Sequence, residues 1–189
     1  MAPSINRDEA LELLRQYTKS DSLLRHALGV EHVMRKMAGK YDGDIDEWGI
    51  TGLLHDFDYE MYPSIEQHPF VGNKIMKDLG YPESICRAIM GHATYSGVPR
   101  DTDMAKALFS VDELTGFIFA VTYVRPSKSV QDVKPRSVKK KLKQKSFAAS
   151  VNRNDIFQSI EELNLDFTEH VQFVIDTLSE KANELGLGG

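Results

Sequence analysis

The sequence predicts an all-α fold formed by a single domain, and three observations support this prediction. Apolar residues recur at spacings of three and four along most of the 189 residues, which is the period of one buried helix face. We find no alternating apolar and polar run long enough for a sheet. The chain contains no internal repeat and no flexible interdomain linker, and its length is sufficient for one well-buried core.

The expected helices follow one another with short connections. Ser22 suits the cap of the second helix, Pro82 suits the first turn of the fifth, and Pro126 should end the sixth. The pattern is weakest over 128–150, where we expect one short basic helix. In chain order the helices are expected at about 7–18, 22–40, 45–55, 66–79, 82–92, 103–124, from 135 onward, 154–162 and 167–185.

Composition excludes several classes of protein. With 41% hydrophobic and 27% charged residues the chain is globular, and a net charge of -5 argues against nucleic-acid binding by the whole surface. The N-terminus lacks the basic and apolar regions of a secretory signal, and no apolar run approaches the roughly 18 residues that span a bilayer. The single cysteine, Cys86, fits a reducing cytosol and excludes a cysteine-based zinc site. We therefore expect a cytoplasmic protein without membrane contact.

The dipeptide His55-Asp56, at the end of the apolar run 48–54, is the first candidate for a functional site. A buried His beside a buried Asp is costly unless something positive pairs with them, and both side chains are ordinary ligands of divalent metals. His26 and Asp112 lie on the apolar faces of two other helices. A lone histidine there is more often a hydrogen-bonded core residue, but a buried carboxylate needs a partner. Together the four residues indicate one shared cation.

Two further histidines, His68 and His92, lie at helix ends beside loops, where a cleft could form. Each alone is as readily explained as a surface histidine. As a pair they could hold a second metal, with Asp56 bridging the two ions. His32 lies off the main apolar stripe and is expected to be structural, and His170 is expected to face solvent.

The order of these residues resembles the HD superfamily of metal-dependent phosphohydrolases. His26 is followed by His55-Asp56 and then by Asp112, in helical context over about 22–125. The likeness is closest to the small stand-alone bacterial proteins of this superfamily. Two stretches carry it most clearly, namely Gly52-Leu-Leu-His-Asp and Val111-Asp-Glu-Leu-Thr-Gly.

The resemblance implies an HD-type helical bundle with one or two divalent metal ions per chain, and Fe, Mn, Mg and Zn all stay open. His68 and His92 are similar to the additional ligands of the subset with two metals. The second site would have only three protein donors and would be the more open one. By resemblance, the first ion is held by His26, His55, Asp56 and Asp112, and the second by Asp56, His68 and His92.

The resemblance further implies hydrolysis, in which a metal-activated water attacks the phosphorus of a small phosphorylated substrate. A nucleotide or another phosphate ester is the natural substrate. Asp56 would act as the carboxylate that bridges the ions, and Asp58 as the acid that protonates the leaving oxygen. Asp58 and Glu60 lie in a loop just beyond the dipeptide, and the plainer interpretation is that both are ordinary surface acids.

Residues 125–153 form a basic segment with ten Lys and Arg against one acid, Asp132. A positive rim beside a metal cleft would attract phosphorylated substrates, and Lys128 is the residue that we expect to contact phosphate. A solvated charged face explains the segment equally well, and nucleic-acid contact has the thinnest support. Within one expected HD domain, 1–189, the order is a metal-site core at about 22–125, this basic segment, and C-terminal helices at 154–185.

Two other functions stay open. Some HD-fold proteins with a similar ligand order use two irons to activate oxygen, and His and carboxylate donors suit iron as well as manganese. The other alternative is a nucleotide-binding regulatory module, although such a module has no need of a metal-activated water. Formation of an oligomer is compatible with all three functions.

Overall fold

The all-α prediction is confirmed in a computed structural model that describes residues 6–189, which contain nine α-helices and no β-strand. Residues 1–5, part of the stretch in which no secretory signal is expected, lie outside this range. The helices are α1 (Arg7–Tyr17), α2 (Asp21–Lys40), α3 (Ile45–Leu54), α4 (Phe70–Asp78), α5 (Glu83–His92), α6 (Asp103–Tyr123), α7 (Pro135–Leu142), α8 (Arg153–Glu162) and α9 (Phe167–Glu180).

The chain forms two compact units, Met1–Leu108 and Phe109–Gly189. The expectation that 1–189 form one HD domain stays a prediction. Within 6–189, no helix combines the length and the apolar character that crossing a membrane requires.

The first unit is built around α3, which packs against α2, α1 and α5. Every residue from Trp48 to Leu54 is buried, because the helix carries apolar or small side chains on all faces. Gly52 allows the close approach of α3 to α2: a Cβ there would lie 2.9 Å from the Val30 carbonyl oxygen and 2.9 Å from Met34 Cγ. The α3 backbone that precedes His55 is therefore held tightly against α2.

Two helix starts differ from the expectation. Ser22 lies inside α2, and Ser20 occupies the cap position without a side-chain capping bond, because its Oγ pairs with Ser22 Oγ at 2.8 Å. The fourth helix begins at Phe70 and not near residue 66. Pro69 occupies its N-cap position, and a proline disfavours helical backbone in the residue that precedes it. His68 therefore lies in the turn before α4.

The last helix ends at Glu180 and not near residue 185. The Lys181 N–H bonds to the Leu178 carbonyl, a tighter pattern that closes helices, and turns follow. In α5 the sole thiol, Cys86, is fully buried, with Sγ 3.8 Å from the Tyr81 carbonyl oxygen.

In the second unit, α9 packs against α7 and against the 3₁₀ turn Val130–Asp132. His170 of α9 is 3% exposed, and its Nε2 lies 3.0 Å from the Ser110 carbonyl oxygen, so the expectation that it faces solvent was wrong. Arg153 anchors the irregular stretch after α7, because its guanidinium donates to five backbone carbonyls. These belong to Leu142, Gln144, Phe147, Ala148 and Val151.

Candidate metal centre

The first group of candidate ligands in the first unit comprises His26, His55 and Asp56. His26 extends from α2, His55 is the C-cap residue of α3, and Asp56 follows it directly. The Nε2 atoms of the two histidines lie 3.3 Å apart, and one ligand atom from each of the three residues lies within 4.8 Å of the others. The close packing of α3 on α2 brings these side chains together.

The ring of His55 is held in one orientation. The residue is fully buried, and its Nδ1–H donates to the Gly52 carbonyl oxygen at 2.7 Å. Because a carbonyl only accepts, Nδ1 carries a proton, and the neutral form of the ring has its lone pair on Nε2. That lone pair is the one a metal would use.

The second group comprises Asp56, His68 and His92. His68 lies in the turn before α4, and His92 is the last residue of α5. Their Nε2 atoms are 3.4 Å apart, and each lies 3.2 Å from Oδ1 of Asp56. His92 repeats the arrangement of His55, since its Nδ1–H donates to the Ile89 carbonyl. Two imidazole nitrogens and one carboxylate oxygen, which are ordinary donors to divalent metals, therefore converge from the end of α3, the turn before α4 and the end of α5.

Asp56 directs one oxygen toward each group. Oδ2 lies 3.5 Å from His55 Nε2, whereas Oδ1 faces His68 and His92. The side chain is 25% exposed, so the carboxylate lies at the border between the buried histidines and solvent. A carboxylate in this position can contact two ions at once.

The spacing between donors fits metal ions. Two ligands that each lie about 2.1 Å from one ion, at angles of about 90–109°, are separated by about 3.0–3.4 Å. The distances between nitrogen atoms, 3.3 and 3.4 Å, and the 3.2 Å between nitrogen and oxygen agree with this range. The residues present therefore fit a divalent cation in each group.

The pKa values of Asp56 and His68 depend on each other, because the two side chains are in contact. Burial would raise the pKa of Asp56, but the charge of His55 and hydrogen bonds from His68 and His92 hold it well below its usual range. Burial likewise lowers the pKa of His68, and hydrogen bonds to Asp56 and Asp58 outweigh this and raise it to about 9. Without a metal, this centre carries protons that an ion would replace.

Asp58 is not a surface acid: only 1% of it is exposed. His68 Nδ1–H donates to its Oδ1 at 2.7 Å, and the Gly72 N–H donates to its Oδ2 at 2.7 Å. Both oxygens are acceptors, so these contacts do not support the general-acid role expected for Asp58. Glu60 is exposed and accepts backbone N–H groups of Lys19 and Ser20.

The remaining candidates lie apart from these groups or in the other unit. Asp112 lies in α6 within the Phe109–Gly189 unit and is half-buried, and its role as a ligand stays a prediction. Lys128 is exposed in the turn after α6, and phosphate binding by it also stays a prediction. His32 is half-buried in α2 and belongs to neither candidate group.

Two tyrosines near the second group were not singled out from the sequence. The ring of Tyr59 meets the His68 ring edge to face, with centroids 5.4 Å apart, and 42% of the residue is exposed. Tyr95 is 48% exposed; its partial burial, and then the charges of Asp56 and Asp58, raise its pKa to about 12. No periodicity marks either residue, and only their closeness to His68 and Asp56 reveals them.

These features define a helical protein with His/Asp groups that could hold divalent metal ions. Residues 23–116 match the family model of the HD domain, and the chain belongs to that family. HD domains bind divalent metals and are typically metal-dependent phosphohydrolases. Neither the curated proteins nor the solved structures contained a match to this chain.

Proposed function

We propose that the protein is a metal-dependent phosphohydrolase that acts on a nucleotide or another small phosphate ester through a centre of two ions. The observation that carries this proposal is the position of Asp56, with one oxygen toward His55 and the other toward His68 and His92. A bridging carboxylate is what holds two ions a few ångströms apart, at the spacing used to bind both a phosphate and its attacking oxygen.

The chain's own residues prepare the site for this chemistry. The ions would supply an activated water and polarise the phosphoryl oxygen. In their neutral forms His55 and His92 turn an Nε2 lone pair inward, because backbone carbonyls hold a proton on Nδ1. We propose Asp112 as the fourth ligand of the first group, by its place in the HD pattern. The fully buried His55 excludes water from one side of the centre.

The exposed side of Asp56 offers the path for substrate. Tyr59 and Tyr95 supply aromatic surface near this side, and aromatic rings stack on nucleobases with about 1–3 kcal/mol each. This arrangement supports a nucleotide over a substrate without a base. We propose Lys128 as a further contact to phosphate.

The test combines metal analysis with a screen of substrates. Anaerobically purified protein is analysed for bound metal and then assayed with nucleotides and simple phosphate esters under Mn²⁺, Mg²⁺, Zn²⁺ and Fe²⁺. We expect His55→Ala and His92→Ala to lose metal and hydrolysis while the helical circular dichroism persists. His32→Ala, a histidine of α2 outside both groups, is the matched control and should keep both.

Three results would contradict the proposal. Full metal occupancy in both His55→Ala and His92→Ala would show that other residues bind the ions. Coloured, iron-loaded protein that hydrolyses no phosphate ester would favour oxygen activation by two irons instead. Binding of a nucleotide without turnover under every metal would favour the regulatory module.

A further inference from the structure

We propose that Asp58 is a positioning residue that keeps the proton of His68 on Nδ1 and so directs the bare Nε2 toward the second metal ion. This inference rests on the proposed two-ion function, and it assigns to Asp58 a role other than proton donor to the leaving group. The carboxylate acts through His68 and touches neither substrate nor ion.

Both carboxylate oxygens of Asp58 are occupied by hydrogen bonds within the protein. The residue is 1% exposed, Oδ1 accepts from His68 Nδ1 at 2.7 Å, and Oδ2 accepts from the Gly72 N–H at 2.7 Å. The Nε2 atom on the far side of the His68 ring faces Asp56 and His92. A carboxylate behind a metal-bound histidine is a general way to fix the ring and raise its basicity.

The start of α4 is built around the same carboxylate. Gly72 is the third residue of the helix, where backbone N–H groups have no partner within the helix, and Pro69 at the N-cap provides no side-chain acceptor. Asp58 fills that need. A Cβ on Gly72 would lie 2.7 Å from Asp58 Cγ and 3.0 Å from the Phe57 ring, so only glycine leaves room for the carboxylate.

Replacing Asp58 by asparagine, which has the same shape, tests this role because the two side chains differ in their hydrogen-bonding groups. Asp58 receives two N–H groups on two different oxygens, whereas an asparagine offers one acceptor and one donor. If the amide oxygen stays on Gly72, its NH₂ group faces His68 Nδ1, which must then accept. The imidazole proton moves to Nε2, where it blocks the ion.

The experiment titrates the metal-stripped full chain with Zn²⁺ by calorimetry and compares Asp58→Asn with the wild type. We expect two ions in the wild type, and in the variant an unchanged first ion with a second ion bound about 10- to 100-fold more weakly. Gly72→Ala keeps the charge of Asp58 but displaces it, and it should weaken the second ion in the same way. If Asp58→Asn does not fold, the Zn²⁺ affinity of Gly72→Ala alone tests the role of Asp58.

Asp44→Asn is the matched control. Asp44 is a helix-capping carboxylate of the same unit, but a single oxygen, Oδ1, receives both the Asp46 and Glu47 N–H groups. An amide oxygen replaces it fully, so both ions should bind as in the wild type. Nitrogen-15 spectra of the zinc-loaded proteins should show His68 bound through Nε2 with a proton on Nδ1, and Asp58→Asn should lose that signature.

The outcomes separate this inference from the proposed function. If Asp58→Asn and Gly72→Ala bind the second Zn²⁺ as tightly as the wild type, Asp58 merely caps α4; the inference fails and the hydrolase stands. A wild type that binds a single Zn²⁺ also overturns the inference. A wild type that binds none and hydrolyses nothing overturns the proposed function itself.

Discussion

Gly52→Ala tests the close contact between α3 and α2 that places His55 near His26. The new Cβ would lie 2.9 Å from the Val30 carbonyl oxygen and from Met34 Cγ. The Met34 side chain can rotate, but the carbonyl is backbone, so α3 must retreat by about 0.5 Å to reach an ordinary contact of 3.4 Å. Overpacking of this kind costs about 1–3 kcal/mol, and the gain in helix propensity from glycine to alanine offsets about 0.8–1 kcal/mol of it.

We therefore expect a net loss of up to about 2 kcal/mol in the free energy of unfolding, measured by urea titration of the metal-free protein. Zn²⁺ affinity of the first group should fall as well, because the His55 ligand atom moves with α3. Gly39→Ala is the control: it lies near the end of α2 with nothing within 4 Å of the added Cβ, and it should gain about 0.5–1 kcal/mol. A Gly52→Ala variant that is as stabilised as Gly39→Ala, with unchanged Zn²⁺ affinity, would refute the reasoning.

Three other predictions concern single residues of the first unit. Tyr59→Ala should raise KM for a nucleotide about 5- to 100-fold while Tyr59→Phe does not, and equal effects on a phosphate ester without a base would exclude stacking. Glu31 accepts from Arg7 at 2.6 and 2.8 Å and from Arg35 at 3.0 Å, so Glu31→Gln should lower the free energy of unfolding in urea by about 1–3 kcal/mol; no change would mean that solvent screens the pairs. Backbone N–H groups of Ser20 and Lys19 lower the pKa of Glu60 below 4.5, so its contribution to stability is present above pH 4.5 and lost as pH falls through the lower value. The difference in Tm between the wild type and Glu60→Gln should therefore be largest near neutral pH and shrink in acid, and a constant difference would contradict this assignment.

Most of the helices could be predicted because they bury one stripe of apolar residues, which is a local signal, and α3 stands out as a continuous apolar run. His26 and His55 were identified by the same signal, since each lies on or next to such a stripe. Asp58 could not be placed this way. Its partners His68 and Gly72 lie 10 and 14 residues further along the chain, and an acid in a loop normally faces solvent.

The errors have two physical causes. His170 was expected at the surface because nothing in α9 reveals the Ser110 carbonyl, 60 residues away, that bonds to it. The predicted fourth helix begins too early because Glu66 and its neighbours suit a helix, whereas Pro69 disfavours helical backbone in the residue before it. Long-range hydrogen bonds and the cost of proline backbone decided these positions, and neither appears in hydrophobic periodicity.

The buried thiol of Cys86 allows the opening of the metal centre to be followed by the rate of thiol labelling. Cys86 lies in α5, the helix that ends at His92, and burial raises the pKa of its thiol. Alkylating reagents attack the thiolate, so labelling must wait for α5 to open. An ion that binds His92 in the closed state makes that opening rarer in proportion to its occupancy. The rate of thiol labelling, followed by mass spectrometry on unmodified protein, thus measures how often the site itself comes apart.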